Sequence, residues 1–168
     1  MPFEGDELTY CPSDMDFTVT WAVVVSGASW NPCGHMLLCC GSSSENSWYF
    51  QVAGQGIREL WGVRAHPKFM RGEAGFQRYL RENGKKEIRR LDATLRNPSG
   101  AYQRLMSYMA DPWYWGVLIN NCATFVREIV QAGGGNLSVI LNCPDQEVQL
   151  IRDIRTLEGL PSFRRFGP

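Results

Sequence analysis

The chain has 168 residues, enough for one domain with a buried core, here read as a single domain over residues 1–168. Its composition, 44% hydrophobic and 20% charged, excludes an intrinsically disordered chain. Lys+Arg and Asp+Glu number 17 each, so no net charge draws it to nucleic acid.

In chain order, residues 1–16 carry Glu4, Asp6, Glu7, Asp14 and Asp16, without the basic start and apolar centre of a secretory signal. The longest apolar run, residues 21–25, is far too short for a transmembrane segment. The expectation is a chain made in the cytoplasm without a cleaved signal, which stays there or leaves by a signal-independent route. Residues 17–26 are β-branched and apolar and predict a central strand. Residues 27–34 hold Ser, Asn, Pro and Gly and form a loop. Residues 35–40 are a second strand, 41–46 a polar turn, 47–53 a third strand and 57–65 a fourth.

Helices follow. Residues 74–83 predict a short helix, with Glu73 near its start and Gly84 past its end. Residues 86–95 alternate as another strand. Residues 98–109 read as a helix, with Asn97 as cap and Pro98 at the first helical position. A last helix is expected over 145–157. The basic stretch 78–96 is interrupted by Glu82, Glu87 and Asp92 and reads as a solvated face. The fold class is α+β, an antiparallel sheet with helices packed on it.

The segment around Cys122 is the most informative. Residues 117–119 are an apolar lead-in, and Asn120 or Asn121 can cap a helix. Phe125, Val126, Ile129 and Val130 then recur at the spacing of a buried stripe, and Gly133, Gly134 and Gly135 end it. A thiol at a helix N-terminus meets the positive end of the dipole, which favours thiolate. Free N–H groups there can hold an oxyanion. Set against this, most free cysteines are small buried hydrophobes.

A cysteine nucleophile needs a base, and the chain has two histidines. His35 opens a strand after a flexible segment. His66 precedes Pro67, which forces an extended or turn geometry on it, and is the reserve. If the 41–46 turn closes a hairpin, paired residues sum to about 88, a register that places Gln51 on the face of His35. Gln51 can then accept the second ring N–H and fix the tautomer, or be a plain solvated strand residue. Cys11, Cys33, Cys39, Cys40, Cys122 and Cys143 show no regular framework, so a disulfide-free chain is expected. Cys33, His35, Cys39 and Cys40 lack paired zinc spacing, and neither a metal nor a cofactor is implied.

The order of a strand histidine, a polar residue on the next strand and Asn-Cys at a late helix start resembles the circularly permuted papain-like fold. That group includes NlpC-type cell-wall hydrolases and lecithin:retinol acyltransferase-like proteins. Residues 121–126 are similar to the latter's Asn-Cys-x-x-Phe-Val motif, and residues 34–38 with Gly41 resemble its histidine strand and turn. The resemblance implies Cys122 as nucleophile, His35 as base and a residue near Gln51 as third member. Many acyltransferase-like members carry a second histidine in that third place; this chain does not.

The activity expected is cysteine-dependent cleavage of an amide, first of all in peptidoglycan stem peptides, by a bacterial antagonism toxin with a cognate immunity protein as partner. A contractile (type VI) secretion system is the route this implies. The alternatives are a lipid or protein acyl hydrolase or acyltransferase, where Trp113, Tyr114 and Trp115 would line an acyl groove although such aromatics more often belong to the core, and a non-catalytic peptide-binding module on the same fold.

Overall fold

The computed structural model describes residues 1–7, 12–27, 33–52, 63–111, 113–115 and 121–137. Along these run β1 (Asp6–Glu7), β2 (Thr20–Val25), β3 (His35–Cys40), β4 (Trp48–Gln51), β5 (Val63–Ala65) and β6 (Lys68–Arg71). They are followed by α1 (Gly72–Glu82), β7 (Glu87–Asp92), α2 (Pro98–Ala110), β8 (Trp113–Trp115) and α3 (Cys122–Ala132). Six strands form one antiparallel sheet in the order β1-β6-β4-β3-β2-β7, and β5 pairs with β8 separately. The fold is therefore α+β, with helices on an antiparallel sheet.

Strand alternation sorts the core into two layers. Met36, Leu38, Cys40, Trp48 and Phe50 point to one face, where Leu105 of α2 and Phe125, Val126, Ile129 and Val130 of α3 cover them. Val23, Val25, Leu37, Cys39, Tyr49 and Met70 point to the other, where Phe76, Tyr79 and Leu80 of α1 cover them. Because both faces are buried, the central strands read as continuous apolar runs rather than as alternating ones.

The predicted elements that fall on described residues are present with shifted ends. β2 starts at Thr20 rather than residue 17, because Asp16 takes the Thr18 N–H and hydroxyl at 2.9 and 2.5 Å and holds the chain in a turn. The first helix starts at Gly72, without a side-chain cap; carbonyls at and just after the 41–46 turn receive its first N–H groups instead, Gly72 donating to Ser47 at 2.8 Å and Glu73 to Ser44 at 2.7 Å. α2 starts as expected, Asn97 accepting the Gly100 N–H and Pro98 in the first turn. A Cβ on Gly100 would lie 2.3 Å from the Ala132 carbonyl, so glycine is what lets α2 and α3 approach. The strands β1, β6 and β8 were not predicted; they have two to four residues each, too few for a periodicity to show. Of the expected 57–65 strand only residues 63–65 are described, and the expected 145–157 helix lies outside the described residues.

One cysteine expectation is corrected. Cys33 is disulfide-bonded to a partner outside the described residues, whereas Cys39, Cys40 and Cys122 are free thiols. Irregular spacing in sequence does not forbid a bridge, since pairing depends on Cα atoms about 5–6 Å apart in space.

Candidate functional site

Cys122 is the first residue of α3, and the geometry there follows from Asn121. The Asn121 backbone is extended and its side-chain oxygen accepts the N–H groups of Ala123 and Thr124 at 3.0 and 3.1 Å. Asn121 is thus the cap; Asn120 lies outside the described residues. Phe125, Val126, Ile129 and Val130 anchor the helix on the sheet, and Gly134, at φ +68°, turns the chain out of it. The cap takes two of the N–H groups expected to serve an oxyanion, leaving the N–H of Cys122 itself at the mouth of the helix.

The sulfur sits at the N-terminal end of β3. The backbone N–H of Met36 donates to Cys122 Sγ at 3.4 Å, so the thiol rests against the peptide joining His35 to Met36. By strand alternation Met36 belongs to the α3 face and His35 to the face of Leu37 and Cys39. Sulfur and imidazole thus come from opposite layers, the sulfur resting on the backbone at the end of the strand that His35 opens. Among the described residues no hydrogen bond joins them: His35 Nε2 is bound to Gln51 Oε1 at 2.7 Å, and Nδ1 makes none. The β3–β4 register, Leu38 opposite Phe50 and Cys39 opposite Tyr49, has the expected sum of 88 and puts Gln51 on the His35 face. Gln51 is fully buried, and its amide nitrogen donates to the backbone and side-chain oxygens of Glu4 at 2.6 and 2.9 Å.

The electrostatics correct the expectation of a thiolate. Burial pushes the Cys122 thiol above its ordinary value. The N–H groups of Met36, Ala123 and Cys122 and the Lys85 ammonium pull the other way without offsetting it. Burial, reinforced by the same ammonium, pushes the His35 imidazole down to about 4, against the Gln51 bond. The resting pair at neutral pH is therefore thiol and neutral imidazole. Such a pair works by proton transfer to the ring as attack begins.

Lys85, which in sequence is one cation of the basic stretch 78–96, is half-buried with its ammonium 3.4 Å from the Ser26 carbonyl. Burial lowers its pKa, against the pull of Glu4 and Cys122. Neither Lys85 nor Glu4 carries a sequence signal, since nothing local links residues 4, 35, 51, 85 and 122. His66 is exposed between β5 and β6. Trp113 is buried against Tyr108 and Phe125 as a core residue, Tyr114 is exposed, and the Trp115 side chain lies outside the description. Among the described residues no three His, Cys, Asp or Glu side chains converge as a metal site, and no helix is long and apolar enough to cross a membrane.

No family model, no curated protein and no solved structure matches the chain. What its own structure defines is an α+β protein in which a capped helix brings a buried thiol to the end of a strand that carries a neutral, hydrogen-bonded histidine.

Proposed function

We propose that the protein is a cysteine-dependent hydrolase that cleaves an amide bond, with peptidoglycan stem peptides as first substrate. The observation that carries this reading is the contact of Cys122 Sγ with the His35–Met36 peptide, beside an imidazole whose far nitrogen is held by Gln51. Nδ1, the ring nitrogen that Gln51 leaves free, is the one to serve the sulfur; catalytic bonds of this kind are commonly loose before substrate binds. Nδ1 takes the thiol proton as Sγ attacks the carbonyl carbon, and the oxyanion meets the Cys122 N–H. The proton passes to the amine leaving group, and a thioester remains. Water, deprotonated by His35, then releases the acid and restores the thiol.

The papain-like permuted fold and the antagonism role, with delivery by a secretion system and a cognate immunity protein, rest on the motif resemblance. The Cys33 disulfide supports a working place in an oxidising compartment such as the bacterial periplasm, where peptidoglycan lies. The placement of Trp113 in the core weakens the acyl-groove alternative.

The test digests purified peptidoglycan and lipid vesicles in parallel and identifies the bond cut by mass spectrometry. New amine and carboxyl ends in stem peptides, absent with Cys122→Ala, are expected. Released fatty acid instead moves the protein to acyl chemistry. No product from either, with peptide binding unchanged in Cys122→Ala, makes it a binding module.

A further inference from the structure

Gln51 is an amide with one accepting and one donating end, and its orientation decides where the His35 proton sits. Both hydrogens of its Nε2 are taken by Glu4, one by the backbone oxygen at 2.6 Å and one by the carboxylate at 2.9 Å. Turning the amide over would set Oε1 against two acceptors and Nε2 against the ring. The ring could accept from Nε2, but the two Glu4 oxygens cannot donate to Oε1, and because Gln51 is 1% exposed, water cannot relieve that clash. Oε1 must therefore face His35, and an oxygen that only accepts requires a proton on Nε2.

Glu4 is itself held from both sides. The Phe3 N–H donates to Glu82 and the Phe3 carbonyl accepts from Asn83, each at 2.8 Å, while the Arg78 guanidinium lies 4.1 Å over the Phe3 ring. Beyond it, Gly5 has φ +99°, and a Cβ there would lie 2.8 Å from the Phe69 carbonyl, which lets β1 pair with β6 beside Gln51. The N-terminal segment is thus fastened so that two oxygens of one residue meet one amide.

We infer that Glu4 is a positioning residue for His35: by fixing the Gln51 amide it keeps the imidazole proton on Nε2 and leaves Nδ1 as the basic nitrogen offered to Cys122. The part concerning Cys122 rests on the catalytic reading above, but the tautomer does not.

The test measures the ring nitrogens of His35 by 15N NMR in the intact chain, with His66 assigned through His66→Gln, and in parallel the alkylation rate of Cys122 by iodoacetamide. In the native chain the Nε2–H tautomer is expected. Glu4→Lys replaces the carboxylate acceptor by a donor and leaves only the backbone oxygen of residue 4 to hold the amide, so a share of Nδ1–H should appear and alkylation should fall, by up to roughly tenfold, the scale of one hydrogen bond to a charged group. Glu4→Gln keeps an acceptor on a side chain of the same length and should behave as the native protein. Native ring shifts in Glu4→Lys would overturn the inference, as would equal loss in Glu4→Lys and Glu4→Gln. Failure of the catalytic reading shows separately, as alkylation of Cys122 that His35→Ala leaves unchanged.

Discussion

The two faces of the sheet solve different problems. On the α2–α3 face, Met36, Leu38, Trp48 and Phe50 meet helix side chains that are almost wholly apolar. On the α1 face a polar network is laid over the apolar layer. Tyr49 donates to Glu73 at 2.6 Å, Gln77 donates to it at 2.8 Å, and Arg90 joins Glu73 to Glu87. Burial works against ionising Glu73, yet the bonds from Gln77, Tyr49 and Arg90 outweigh it and hold its carboxyl below the usual range. The Glu4–Gln51–His35 chain lies on this polar face and Cys122 comes from the apolar one. A nucleophile delivered by a well-packed helix is fixed in place, and a base set among polar partners has its proton fixed.

That division is broken most severely at the meeting point. Cys122→Ala and His35→Ala should each lower turnover by roughly 10³-fold or more, and the double variant should be no worse, since the two act as a unit. Gln51→Ala should cost less. Steady-state assays on whichever substrate is cleaved check this, and activity lost in His66→Ala but kept in His35→Ala would move the base to the other histidine.

The apolar face should be next in sensitivity. Phe125 is fully buried between the rings of Tyr108 and Trp113, 5.6 and 5.7 Å away. Phe125→Ala should lower unfolding stability by about 3–5 kcal/mol, measured by denaturant titration, because the helix end that carries Cys122 loses its anchor.

Acid should act through the polar face. The His35 ring binds its proton more weakly in the fold, at about 4, than at its ordinary 6.5. The unfolded chain therefore takes up more protons between those values. Stability is full above about pH 6.5 and is lost as pH falls towards 4, by about 2–3 kcal/mol for a half-buried ring. His35→Gln should flatten that slope, and a variant as acid-sensitive as the native chain would remove His35 as its source.

The smallest effect belongs to the network under α1. Arg90→Met breaks bonds to Glu73 and Glu87 on a side chain about 30% exposed, and should cost about 1 kcal/mol in thermal or denaturant unfolding. A loss as large as that of Phe125→Ala would mean that the polar face contributes as much as the apolar one.

Some of this was written locally. The β-branched runs of β2 and β3, the Asn97-Pro98 start of α2 and the Asn121-Cys122 start of α3 each combine a propensity with a cap, so a short window of sequence specifies them. The turn at 41–46 set the hairpin register, and with it the His35–Gln51 pairing. By contrast β1, β6 and β8 were invisible, because strands so short are stabilised by neighbours distant in sequence. Burial likewise reversed the expected thiolate, since the helix-end effect is local and desolvation is a property of the packed whole.

By itself, then, the sequence determined an α+β fold, the capped helix that opens on Cys122, and a histidine strand with Gln51 across the turn, because periodicity, capping and turn chemistry act over a few residues. Only the tertiary structure decided that the Met36 N–H meets the sulfur, that Lys85 turns towards the site, and that Glu4 fixes the Gln51 amide. Those contacts join residues 47 to 86 positions apart, and they form only once two apolar layers have closed on the sheet and excluded the water that would otherwise satisfy each group alone.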